Sequence, residues 1–293
     1  MTKLSREMKT WAKQAGGSYK TVHDRLRIVE RLCRHLLALN IQVHSVQHVK
    51  ARHIESYVAA RRSQGMALRT LHNEMSALRS VLRLAGRGKL VDDPRLSNQA
   101  LGLGGASRAG TKYAIPDALY QSVLESARRE DAGLACALQL ARLLGLRSQE
   151  AVQCCASLKR WEQQLTRQAD RLTVVFGTKG GRPRETRVLD SAAVLAAVRE
   201  ALVIADNRNG KLIDKPDLKT AMNFWRARTT RLGLTGPHSP HSLRYAWAQD
   251  AMRFYLADGF SRQEARALVS MDLGHGDGRG RYVERVYTRQ EEA

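Results

Sequence analysis

His238-Ser239-Pro240-His241-Ser242-Leu243-Arg244-Tyr245 ends a loop at a proline and opens a helix on which a histidine and an arginine, three residues apart, share a face. Such a pair suits the handling of a phosphate. As a zinc site it is poor, because no cysteine or further histidine lies at ligand spacing from His238 and His241. Upstream, Leu143-Leu144-Gly145-Leu146-Arg147-Ser148-Gln149-Glu150 puts an arginine after a Leu-Gly-Leu step, and a helix beginning there lets Glu150 hydrogen-bond Arg147. Between these stretches, Gly177-Thr178-Lys179-Gly180-Gly181-Arg182 sets Lys179 at the tip of a turn. Downstream, Leu273-Gly274-His275 leads through a glycine-rich loop to Tyr282 and Tyr287. Each stretch alone has an ordinary reading: an ion pair at a helix start, a turn lysine, a frayed tail.

Charge narrows the partner. The 293 residues carry 49 Lys and Arg against 28 Asp and Glu, a net charge of +21. That excess favours a polyanion, above all nucleic acid, over a basic surface that serves solubility or a membrane face. Both halves are basic, +12 over residues 1–105 and +9 over residues 106–293. Hydrophobic content of 43% is ordinary for a globular protein, and no apolar run approaches the roughly 18–20 residues that span a bilayer. The amino terminus lacks the apolar core of a secretory signal. Cys33, Cys136, Cys154 and Cys155 show no CxxC spacing, which fits a reduced, cytoplasmic chain. His44, His48 and His53 approach helical ligand spacing, but they sit among Gln47, Lys50 and Arg52 without a complete ligand set.

Apolar periodicity supplies the architecture. Val22, Leu26, Val29, Leu32, Cys33 and Leu36 mark a helix over 18–39, and further helices are expected over 50–64 and 68–85. Residues 1–90 thus read as a helical domain. Glycines, a proline and small polar residues assign 91–111 to a linker. A second domain over 112–293 is expected to hold helices at 116–129, 133–144, 191–205, 218–232, 242–256 and 262–269. Extended propensity over 171–190 adds one hairpin. The fold class is mainly α, with a mixed α/β second domain containing a small sheet.

The order Arg147 with Glu150, Lys179, His241-x-x-Arg244, Leu-Gly-His275 and a terminal tyrosine resembles the tyrosine recombinase, or phage integrase, family. The likeness covers residue 112 to the end, and the helical amino-terminal domain is similar to that family's core-binding domain. The resemblance implies that Arg147 and Arg244 hold the non-bridging oxygens of the scissile phosphate and that His241 and His275 add hydrogen bonds. In the same reading His241 assists proton removal from the nucleophile, Lys179 protonates the departing 5′ oxygen, and Glu150 orients its cationic neighbours. A tyrosine then holds the cleaved strand as a 3′-phosphotyrosine, and the step reverses with no cofactor, metal or nucleotide.

Where the family usually carries that tyrosine, this chain has Glu284. The candidates are Tyr287, in a Val-Tyr-Thr-Arg setting that resembles the family's, and Tyr282 as the alternative nucleophile. Gly276, Gly278 and Gly280 provide a lengthened loop that brings Tyr287 into place. Six residues follow Tyr287, so the family's trans-packing carboxy-terminal helix is expected to be replaced by another contact. The resemblance further implies double-stranded DNA as partner, a homotetramer assembled on two DNA sites, an accessory DNA-bending protein, no membrane, and a cytoplasmic, nucleoid-associated integrase of a mobile element. A type IB topoisomerase and a catalytically inert DNA-binding protein are the competing functions.

Overall fold

The computed structural model describes residues 2–105 and 109–287. Residues 106–108, within the expected linker, and 288–293, with the Thr-Arg that follows Tyr287, lie outside them. Two compact units divide the chain, Met1–Ser107 and Arg108–Ala293.

The first unit is helical: α1 (Lys3–Gln14), α2 (Tyr19–Ala38), α3 (Ala51–Ser63), α4 (Leu68–Leu84) and the short α5 (Gly88–Val91). Thr2 and Ser18 cap α1 and α2 by accepting hydrogen bonds from the Ser5 and Thr21 amides. The core is formed by Leu4 and Met8 of α1, Val29, Leu32 and Leu36 of α2, Ile54 and Tyr57 of α3, and Leu71, Met75 and Leu78 of α4. The polar residues flanking Leu4, Met8 and Ala12 hide α1 in the sequence, yet these three residues at four-residue spacing are all buried. The core extends past residue 90. Leu96, Leu101 and Leu103 are buried in it, so apolar burial overrides the turn-forming composition that assigns 91–111 to a linker. His53 is buried and its Nδ1 accepts the Lys50 amide at 3.1 Å, whereas His44 and His48 are exposed. Among the described residues no cluster of histidine, cysteine or carboxylate side chains is placed to hold a metal ion.

The second unit runs α6 (Asp117–Glu130), α7 (Ala132–Leu143), α8 (Ser148–Gln153), α9 (Leu158–Thr166), β1 (Arg171–Val174), β2 (Arg184–Arg187), α10 (Ser191–Asp206), α11 (Leu218–Arg231), α12 (Ser242–Ala257), α13 (Arg262–Asp272) and α14 (Gly280–Tyr287). Helix α7 is buried on nearly every side and packs against α6, α10 and α12. The strands form an antiparallel hairpin in which Arg171 pairs with Arg187 and Val174 with Arg184. Helix α9 anchors the hairpin, since Trp161 donates its indole N–H to the Thr173 carbonyl at 2.9 Å.

A second apolar cluster joins the other face of α12 to α13 and α14. With eight residues, α14 is too short to hold as a free helix in water. Burial of Val283 and Val286, about 1.5–3 kcal/mol each, docks it. Among the described residues no helix is long and apolar enough to cross a membrane.

Candidate active site

The turn after α7 sets the first group. Gly145 takes a φ of 57°, and a Cβ there would lie 2.7 Å from the Trp247 ring, so both the backbone conformation and the close packing require glycine. The chain reverses at that point and delivers Arg147 to the start of α8. Glu150 accepts the Arg147 amide at 2.9 Å and also its guanidinium, as the Arg-x-x-Glu spacing predicts. The Arg147 guanidinium further donates to the Leu273 carbonyl at 3.0 Å. Burial of Glu150 favours its neutral form, but Arg184, by charge and hydrogen bond, together with Arg244 and Arg147, outweighs that and holds the carboxyl down at about 2.

The second group comes from the amino-terminal end of α12, where the Arg244 amide donates to the His241 carbonyl at 3.1 Å. Arg244 is completely buried and donates to the carbonyls of Gly145 and Leu273. Its Nε–H has no partner among the described residues. Burial, then the Arg184 charge, lowers Arg244 to about 10, so it stays cationic at neutral pH. His241 is lowered to about 4 by burial, then by Arg244 and Arg147. It is therefore neutral and able to donate or accept.

The third group follows α13. His275 lies beyond the left-handed Gly274 and bonds the Tyr287 hydroxyl at 3.0 Å through Nε2. Burial, then Arg244 and Arg147, depresses His275 to about 3. Tyr287 is only 2% exposed, packs 4.6 Å from the Tyr245 ring and 6.2 Å from that of His241, and lies within electrostatic reach of Arg244. Tyr282 also reaches this corner, with its ring edge-on to His275 at 4.9 Å.

Arg147, Glu150, His241, Arg244, His275 and Tyr287, spread over 141 positions of sequence, therefore meet in one cluster in which Glu150, Arg244 and Tyr287 are buried and Arg147, His241 and His275 are half-buried. Lys179 stands apart on an exposed turn at the hairpin tip, close enough for its charge to bear on His275. Sequence reasoning missed Arg184, Tyr245 and the carbonyls of Gly145 and Leu273. A signal for Arg184 existed. Strand alternation back from the apolar Val188 puts Thr186 and Arg184 on the buried face, and a buried arginine demands acceptors.

Two family models match the chain: phage integrase, N-terminal, over residues 1–91, and integrase over residues 102–250. His275, Tyr282 and Tyr287 lie beyond both. No curated protein matches the chain. Among solved structures, a lambda integrase tetramer bound to a Holliday junction is similar at 17% identity, covering 97% of this chain and 79% of that one, with a TM-score of 0.60. The Tn1549 transposon integrase in complex with transposon right end DNA is similar at 14% identity, covering 100% and 96%, with a TM-score of 0.64. These likenesses show the fold, a mostly helical protein with one small antiparallel hairpin. The integrase model spans half of the chain, and the chain therefore belongs to the phage integrase family of tyrosine recombinases and is a site-specific recombinase.

Proposed function

We propose that the protein binds double-stranded DNA and exchanges strands through a 3′-phosphotyrosine formed on Tyr287. One observation carries this reading: the Tyr287 hydroxyl sits 3.0 Å from His275 Nε2, within electrostatic reach of Arg244, in the cluster that also holds Arg147 and His241. The arginines supply fixed positive charge where the phosphoryl group gains negative charge in the transition state. The phenolic oxygen attacks phosphorus, the bond to the 5′ oxygen breaks, and the phenolic proton leaves by way of the site histidines. His275, the group in contact with the phenol, is better placed for that role than His241. Lys179, on its exposed turn, delivers a proton to the departing 5′ oxygen. A second 5′ hydroxyl then attacks the phosphotyrosine and restores a phosphodiester, so bond energy is conserved without a nucleotide. Tyr282 serves as an aromatic wall for His275.

Exchange between two sites needs four cleavages, which supports a homotetramer on two duplexes, with an accessory DNA-bending protein where the sites must be bent. Such binding would place the protein on the nucleoid. The test uses duplexes enriched by the intact chain from a randomised pool and then labelled in pairs. Recombinant duplexes carrying both labels are the expected product. Relaxation of supercoiled DNA without exchange would indicate topoisomerase action, and binding with no covalent adduct would indicate an inert DNA-binding protein.

A further inference from the structure

A third arginine is built into this site. Arg184 of β2 has a side chain only 4% exposed. Its guanidinium reaches the two Glu150 oxygens at 3.3 and 2.8 Å, the Asp272 carbonyl at 2.6 Å and the Gly145 carbonyl at 3.2 Å. Those acceptors lie on α8, at the end of α13 and in the turn before Arg147, the segments that carry Arg147 and His275. The Leu-Gly-His turn is moulded on the same side chain, because a Cβ at Gly274 would fall 2.8 Å from Arg184 Cδ. Electrostatics give the arrangement a purpose. Arg147 and Arg244 also face Glu150, with Arg244 at 3.9 Å, so without Arg184 the carboxylate would draw on their charge alone and would repel an incoming phosphodiester.

We propose that Arg184 is a positioning residue of the recombination site: it engages both oxygens of Glu150 and the carbonyls beside them, leaving the charge of Arg147 and Arg244 to the scissile phosphate. This rests on the phosphate-site reading above. Lysine cannot replace it, since one ammonium does not reproduce a planar fork spanning a carboxylate and two carbonyls.

Single-turnover formation of the covalent adduct, at saturating concentrations of a duplex selected as above, separates this role from a structural one. The amplitude reports the folded fraction, and the rate constant reports the site. Arg184→Lys is expected to lower the rate constant by about tenfold or more while the amplitude and the apparent Kd stay near those of the unsubstituted chain. Arg184→Gln is expected to be slower still, and adding Glu150→Gln to it should recover part of the rate by removing the uncompensated charge. A rate constant for Arg184→Lys within about twofold of the unsubstituted value, or a loss confined to amplitude, would overturn the proposal. An unsubstituted chain that forms no adduct on any selected duplex would remove the phosphate-site reading itself, and this inference with it.

Discussion

Arg147 and Arg244 are held by carbonyls and Glu150 before any DNA arrives, so their geometry is set by the protein alone. Replacing either with alanine is expected to depress adduct formation by about a hundredfold or more while changing DNA affinity far less, because a distributed basic surface supplies most of the binding. Adduct formation and affinity, measured side by side, check this; equal losses in both would make the arginines ordinary DNA contacts. The histidines predict an acid limit to stability. Both lie below the ordinary histidine value of 6.5, so as pH falls the unfolded chain takes up protons first. Their contribution is complete above that value and is lost as pH falls toward about 4 for His241 and about 3 for His275. Each steepens the loss by up to about 1.4 kcal/mol per pH unit. Glu150 adds its own loss between 4.5 and about 2. Thermal unfolding across pH should show the decline, and His275→Gln should flatten it between pH 6.5 and about 3; an unchanged slope would contradict the burial argument.

Elements with a clean apolar period are legible in the amino-acid sequence: α2, α4, α7 and α10 lie where Val, Leu and Ala spacing puts them. The hairpin over 171–190 is legible from its β-branched run and turn residues. Others are not, for physical reasons. Helix α14 starts at Gly280 after a glycine-rich loop and buries only Val283, Val286 and Tyr287, so tertiary docking rather than propensity makes it helical. The types of residue in the site are legible, but their convergence is not, because main-chain carbonyls of Gly145 and Leu273 hold the arginines and carry no sequence signature. Gly145→Ala combines a left-handed backbone with a collision against Trp247 and is expected to cost about 1–3 kcal/mol in chemical denaturation, with the site distorted in the folded fraction. A loss under about 0.5 kcal/mol would show that the turn yields easily.

Across the whole molecule, each unit has its own core and an excess of positive charge. If both contact DNA, the intact chain should bind more tightly and with a steeper salt dependence than residues 1–107 or 108–293 alone, because tethering makes the second contact intramolecular. Affinity measured over a salt series checks this, and a fragment 108–293 that matches the intact chain in both respects would leave the helical unit without a role in binding. The proposed chemistry turns on one convergence: residues from α8, α12, α14 and the turn after α13 assemble around Tyr287, the tyrosine proposed to bond to DNA. Digestion of a trapped protein–DNA adduct, followed by mass spectrometry of the nucleotide-bearing peptide, reads that bond itself. The nucleotide is expected on Tyr287, with no adduct from Tyr287→Phe and with Tyr282→Phe still reacting; a nucleotide on Tyr282, or a Tyr287→Phe variant that traps DNA normally, would contradict the assignment.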